Sequence, residues 1–439
     1  MSGRLETFGD SKVLVFPDGL ETLDIARLIA EERNKRNEDD AFAVLNLRSL
    51  VQKFREWKHK LPRIEPFYAV KCNNDPALLR VLADLGCGFD CASKAEIDMV
   101  VDHRLVDPKT RVIFANPCKV KSYIKHAARA GVRMMTFDNE EELVKIQQLH
   151  EFTEMVLRIS ASDPSAQCQL SVKFGCEPTA EAPRLLRRAR ELNIAVIGIS
   201  FHVGSGCRNP AAFRAAIQHA RRLFDAGTAE GHEMRLLDIG GGFPGVDTDE
   251  VSFSKVCTSI VDVITPCLDE FFPADGGVTV VAEPGRFFAA HPTAIVANVI
   301  AAVRVPAARI TGEEDEPKKE QRSGFMYYMN DGVYGSFNCI LFDHSQPKGR
   351  PLFDLAAGQQ ADEFPTTIWG PTCDGLDQAG SIQRKGLKEG IAGDWLYFKD
   401  MGAYTTVAAS NFNGFDTTAT IHVSDEATWT ELQLLRNNN

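Results

Sequence analysis

Four short stretches of this 439-residue chain carry chemically capable side chains, three of them beside glycine. "PFYAVKCNND" (Pro66–Asp75) ends an apolar, strand-forming run on Lys71 and then turns into polar residues. "FHVGSGC" (Phe201–Cys207) carries His202 and Ser205, and "LLDIGGGFPG" (Leu236–Gly245) carries Gly240, Gly241 and Gly242. "AEPGRF" (Ala282–Phe287) carries Glu283, Pro284, Gly285 and Arg286. Consecutive glycines let backbone N–H groups approach an anion that side chains would fend off. Ser205 adds a hydroxyl donor and Arg286 a fixed charge with planar donors, a set suited to phosphate. The spacing matches neither a Walker A loop nor a dinucleotide fingerprint, which disfavours a nucleotide. Each stretch alone is a weak signal, since a strand-end lysine usually snorkels and three glycines often form only a tight turn. Together they offer an amine, an aromatic ring, a carboxylate and an anion cradle.

A phosphate facing a lysine suggests pyridoxal phosphate. Lys71 would hold the aldehyde as a Schiff base, a low-dielectric strand end lowering its pKa so that free amine is available. Glu283 would pair with the pyridine nitrogen and keep it protonated, making the ring an electron sink. His202 would lie against the ring face. A structural lysine in a phosphosugar enzyme stays open as the alternative on these residues alone. In "WGPTCDGLD" (Trp369–Asp377), Cys373 sits between a Pro-Thr turn and Asp374, a setting better suited to proton transfer than to core packing. Cys176, Cys257 and Cys267 read instead as small buried hydrophobes. Cys87 and Cys91 have a C-x3-C spacing but no second ligand pair, so no metal is expected.

These residues need elements to hold them. Strand-like runs occur at Pro66–Lys71, Gly88–Ser93, Arg111–Asn116, Arg133–Asp138, Glu154–Ser160, Ala195–Val203, Arg235–Gly242 and Val278–Gly285. Helix-like segments lie between them, several opening with Asp, Asn or Ser, with Gly86 and Gly131 where C-caps belong. Eight strand–helix alternations predict an α/β fold with a closed (β/α)8 barrel, a doubly wound open sheet being the alternative. In such a barrel the functional groups collect at the C-terminal strand ends, where Lys71, His202, the glycines and Glu283 fall. The flanks are β-rich: "SKVLVFPDG" and an amphipathic Leu20–Asn34 at one end, strand-like runs between Gly, Pro and Asp turns after about residue 300 at the other. They predict a second, mostly β domain made of both ends, with residues 1–42 and 296–439 flanking a barrel of residues 43–295. Gly312–Gly324, charged and Pro-containing, is expected to be a solvated loop.

The formal net charge of −11 argues against nucleic acid and acidic membrane as partners. Eleven scattered cysteines, no apolar leader core and no long apolar run point to a reducing, cytoplasmic setting.

At these residues the chain resembles the eukaryotic ornithine decarboxylases, of the alanine-racemase-like barrel class of pyridoxal-phosphate enzymes. The likeness runs from about Phe16 to Phe415 through "PFYAVKCN", "GFDCASKAEI", "FHVGSGC", "LLDIGGGFPG", "AEPGRF", "NDGVYGSFNCILFDH", "GPTCDGLD" and "MGAYT". It implies decarboxylation of L-ornithine to putrescine, the first step of polyamine biosynthesis, with Lys71 as the Schiff-base lysine. It implies Ser205, Gly240, Gly241, Gly242, Pro284, Gly285, Arg286 and Tyr404 as further cofactor contacts, and Asp90 and Arg158 near the Schiff base and phenolic oxygen. Cys373 would protonate the substrate carbon, while Asp343 and Asp374, beside Phe342, would hold the distal ammonium. The loop bearing Cys373 and Asp374 would reach into the partner's site, making the active unit a homodimer. Residues 119–151 resemble the family's antizyme-binding element, an ordinary solvated barrel helix being the alternative. Phe342 departs from the family's usual Tyr, and the stretch after Phe415 is short, so no long degradation segment is expected. Two other readings stand beside this one. A sibling decarboxylase could act on lysine, arginine or diaminopimelate, the last disfavoured by two acids with no nearby arginine. An inactive antizyme-binding regulator would have lost cofactor contacts that this chain keeps.

Overall fold

The computed structural model describes residues 3–438 apart from 162, 165, 169, 248–251, 254–258, 313–322, 354–362, 381–383 and 386–392. The chain divides into two compact units, one of Leu50–Ala289 with Leu434–Asn439, the other of Met1–Ser49 with Ala290–Gln433.

In the first unit eight parallel strands close into a barrel. They are Ile64–Ala69, Gly88–Cys91, Val112–Phe114, Met134–Phe137, Glu154–Ile159, Val196–Phe201, Leu236–Asp238 and Thr279–Ala282. The last closes on the first through Val280 opposite Ile64 and Ala282 opposite Pro66. Every expected strand is present, most of them shorter than the apolar run that announced it. Leu236–Asp238 stops before the glycines because Gly240 (φ +63°) and Gly242 (φ +110°) leave strand geometry for a conformation other residues rarely adopt. The first strand ends at Ala69, and Lys71 lies on a single helical turn, Val70–Cys72. Phe67, Ile113, Met134, Val156, Ile197, Leu236 and Val281, from seven of the strands, pack together as a solid interior.

The polar residues after Lys71 have a structural task. Asp75 accepts N–H bonds from Ala77 and Leu78 at 2.9 and 3.1 Å, capping the helix Pro76–Asp84 with proline in its first turn. Ser93 and Asn139 cap the helices Lys94–Val101 and Glu140–Leu149 in the same way. Gly131 (φ +83°) ends the helix Lys121–Ala130.

The second unit is built on a mixed sheet to which both ends of the chain contribute. Ser11–Phe16 pairs in parallel with Ala419–Asp425, which pairs in parallel with Phe42–Asn46. Phe42–Asn46 then runs antiparallel to the long strand Thr293–Pro306. Ser323–Met329, Thr366–Trp369 and Gln378–Gly380 extend the sheet beyond it. Phe42 meets Trp395 edge-on at 5.6 Å, and Ile25, Ala26, Ile29 and Ala30 of the helix Thr22–Lys35 pack into the same core. The helix Glu426–Asn438 goes beyond the β-rich reading of this region; its cap, Asp425 accepting from Thr428 N–H at 2.9 Å, is the last residue of the strand before it. Most of the expected Gly312–Gly324 loop, and Cys257, lie outside the described residues. No helix among the described residues is long and apolar enough to cross a membrane.

Candidate active site

The barrel's C-terminal rim brings together Lys71, Asp90, Arg158, His202, Ser205, Gly240, Gly241, Gly242, Glu283, Pro284, Gly285 and Arg286, each at or just beyond a strand end. Lys71 Nζ pairs with Asp90 Oδ2 at 2.5 Å, and Asp90 is fully buried in the next strand. Arg158, buried in the fifth strand, has its guanidinium 5.4 Å from the Phe174 ring. Arg286 Nη2 donates to Ser205 Oγ at 3.0 Å, which joins the sixth and eighth strand ends. Glu283 N–H donates to Gly240 O at 2.7 Å and Cys207 N–H to Gly242 O at 3.3 Å, so the glycine turn is tied on both sides. The Ala69 N–H reaches Pro284 O at 3.4 Å and closes the ring of rim segments.

Gly204 N–H donates to His202 Nδ1 at 3.0 Å, which puts the ring proton on Nε2. Burial pushes the His202 pKa well below its usual value, and the positive charges of Arg158 and Lys71 push the same way. The imidazole is therefore a neutral, flat surface. A Cβ added to Gly241 would sit 2.8 Å from His202 Nε2 and 2.9 Å from Glu283 O, so any side chain there would collide with the rim.

The carboxylates carry the clearest electrostatic signal. Asp90, Asp238 and Glu283 are all buried in this barrel mouth. Burial drives Glu283 well above the usual carboxylate range, the negative charges of Asp238 and Asp90 add to it, and Lys71 opposes it. Asp238 is raised to about 6, again chiefly by burial, although the Gly240 N–H donates to its Oδ1 at 2.8 Å. Asp90 Oδ1 is buried without a hydrogen-bond partner. Glu283 and Asp238, both pushed toward protonation beside a third buried carboxyl, with an orphaned oxygen on Asp90 and another on Asp238, make the environment that a cationic ring nitrogen would relieve. With the lysine and the glycine cradle, the residues present fit pyridoxal phosphate.

Tyr404, Phe342, Asp343, Cys373 and Asp374 belong to the second unit. Tyr404 has φ +55°, a left-handed conformation that costs a non-glycine residue about 1–2 kcal/mol. The neighbouring Thr405 is held on two sides, its carbonyl by Asn338 Nδ2 at 2.6 Å and its hydroxyl on Met401 O at 2.7 Å. Strain held in place this way is a mark of functional positions. Asp343 is buried, whereas the adjacent Phe342 is 71% exposed. Cys373 is exposed, its N–H bonded to Asn413 Oδ1 at 3.2 Å. The Asp374 carboxylate accepts from the Tyr334 hydroxyl and from Leu376 N–H, and the Tyr334 bond is the larger cause of its lowered pKa.

Two site residues escaped the reading from sequence. Asp238 had a usable signal, a charged residue inside the apolar run "LLDIG". Tyr334, in the turn "NDGVYG", had none, because its partner lies 40 residues away.

Residues 47–290 match the pyridoxal-dependent decarboxylase pyridoxal binding domain, and residues 271–402 match the C-terminal sheet domain of the same enzymes. Ornithine decarboxylase of Panagrellus redivivus is 53% identical over 428 residues, covering 96% of this chain and 94% of that protein. The Caenorhabditis elegans ornithine decarboxylase is 49% identical over 433 residues, covering 99% of each. Antizyme inhibitor 2 of Xenopus laevis is 45% identical over 419 residues, covering 95% and 89%. The crystal structure of the Paramecium bursaria Chlorella virus arginine decarboxylase superposes with a TM-score of 0.80 at 35% identity, over 91% of this chain and 100% of the other.

Proposed function

The chain belongs to the pyridoxal-dependent decarboxylase family, and from that premise we propose that it removes the α-carboxylate of L-ornithine as CO2, leaving putrescine. The likeness to ornithine decarboxylases over nearly the whole of both chains carries this reading. The intact set of Lys71, Asp90, His202 and Glu283 on one rim favours a working enzyme over a regulator of the antizyme-inhibitor kind.

Bound pyridoxal 5′-phosphate supplies an electron sink for the pair of electrons that CO2 leaves behind. Lys71 would hold its aldehyde carbon, and Ser205, Gly240, Gly241, Gly242, Pro284, Gly285, Arg286 and Tyr404 its phosphate side. His202 would cover the ring face, Glu283 would hold the ring nitrogen, and Arg158 would lie on the phenolic side. Asp90 keeps the Lys71 amine oriented. Asp343 and Asp374 hold the distal ammonium of the substrate by charge-assisted hydrogen bonds. Cys373 delivers a proton to the α-carbon once the carboxylate has gone.

The protein works as a homodimer with shared sites. Cys373 is exposed, and the surrounding second unit also exposes Phe342 (71%), Leu376 (66%), Phe412 (41%) and Phe415 (44%), apolar surface that a second copy would cover. Scattered cysteines support a cytoplasmic setting. Antizyme is a further partner, its surface the exposed Lys121, Lys125 and Arg129. Lys119 is not part of that face, being fully buried against Glu142 at 2.9 Å. Co-precipitation with antizyme should succeed and should fail when those three residues are changed to Glu; binding by the triple variant would place the surface elsewhere.

Release of CO2 from ornithine, lysine and arginine measured side by side tests the main reading. Ornithine should have the highest kcat/KM, by about 10- to 100-fold over lysine, the range one methylene commands in a fitted pocket. A better rate on lysine would overturn the ornithine assignment and point to Phe342. Absence of absorbance between about 330 and 400 nm in the purified protein would favour the regulator. Asp374→Ala should raise KM by about tenfold or more with cofactor retained, the pattern of lost substrate binding.

A further inference from the structure

We infer that Trp57 is a positioning residue for the phosphate cradle, acting through Phe243 and Phe287; the inference rests on the cofactor reading above. Glycines have no side chains with which to hold their own backbone. Gly240–Gly242 is followed at once by Phe243, and Arg286 at once by Phe287, so these two rings are the first anchors available to the two halves of the cradle. Both pack on the same indole. The Trp57 ring meets Phe243 edge-on at 4.8 Å and Phe287 edge-on at 5.3 Å. Phe253 completes the packing, stacked on Trp57 at 5.7 Å and 4.4 Å from Phe287.

Trp57 is itself well fixed. It lies fully buried on the helix Leu47–Lys60, and its Nε1–H donates to Ile64 O at 2.9 Å, at the start of the strand that leads to Lys71. One side chain thus references two rim segments, the glycine turn and the Arg286 turn, to each other by its ring and to the start of the first strand by its hydrogen bond. Edge-to-face contacts fix orientation as well as distance, which an aliphatic side chain of smaller volume would not. Backbone donors bind an anion tightly only when held within about 0.5 Å of the productive position.

The test is a ratio. Cofactor-free protein is titrated by equilibrium dialysis with pyridoxal 5′-phosphate and, separately, with pyridoxal, which lacks the phosphate, and the thermal midpoint of each variant is recorded. Trp57→Leu should weaken binding of the phosphorylated form by about tenfold or more, while pyridoxal binding changes by less than about twofold. Trp57→Phe, which keeps a ring and is the safer folder, should shift the ratio the same way by a smaller amount. Phe224→Leu is the control: Phe224 is buried on the helix Ala211–Ala229 against Phe272, away from the indole cluster. It should lower the midpoint and leave the ratio alone. A wild-type ratio in both Trp57 variants, or an equal fall in Phe224→Leu, would overturn the inference. A wild type that binds the two ligands equally well would overturn the cradle itself, and the inference with it.

Discussion

Mixing Lys71→Ala protein with Cys373→Ala protein, each inactive alone, is expected to restore about a quarter of wild-type activity after subunit exchange. Lys71 sits at the end of the first barrel strand beside Asp90, and Cys373 on an exposed loop of the β unit. If a site takes its lysine from one copy and its cysteine from the other, a mixed dimer has one site with both lesions and one with neither. Random exchange makes about half the dimers mixed, and half of their sites are whole. The measurement is CO2 release before and after exchange. A site built within a single chain would carry one lesion everywhere, and the mixture would stay dead.

Glu283→Ala should lower kcat by about two to three orders of magnitude, the effect of losing one preorganised electrostatic group. A change confined to KM would contradict a role at the ring nitrogen. Charge in this part of the barrel should also act on stability, with the opposite sign. Folded Asp238 keeps its proton up to about 6, whereas the ordinary value is 3.8. Between those values the folded chain holds a proton that the unfolded chain has lost, so stability falls as pH rises, and Glu283 extends the fall upward. Cofactor-free protein should therefore lose more thermal stability than the loaded enzyme as pH rises from about 4 through about 6 and beyond. Glu283→Gln should flatten that loss and raise the cofactor-free midpoint at the higher pH while depressing kcat. Parallel pH profiles for the free and loaded proteins would show that the carboxyl group of three is not what the cofactor relieves.

The barrel was legible because parallel strands buried on both faces appear as unbroken apolar runs, here separated by capped helices. Lys71, His202 and Glu283 were legible because each interrupts such a run at the rim. Asp238 interrupts one too, but beside three glycines it passes for a turn residue. Its coupling to Glu283 comes from the parallel pairing of Leu236–Asp238 with Thr279–Ala282, which no local pattern carries. Likewise Trp57 reads only as an apolar helix residue until Phe243, Phe253 and Phe287 gather on it. The β unit was legible as two pieces of one domain, but not the place of Ala419–Asp425 between Ser11–Phe16 and Phe42–Asn46.

That interleaving sets an order on biosynthesis. The barrel residues are contiguous and can collapse as they leave the ribosome. Ser11–Phe16 and Phe42–Asn46 cannot be joined until Ala419–Asp425 emerges to fill the slot between them. At about 5–20 residues per second, that is a wait of roughly 20–75 s with two strand edges open. A ribosome that stalls before residue 419, or a protease that clips the last strand, leaves a nascent chain with a finished barrel and an unpaired template for aggregation at its other end.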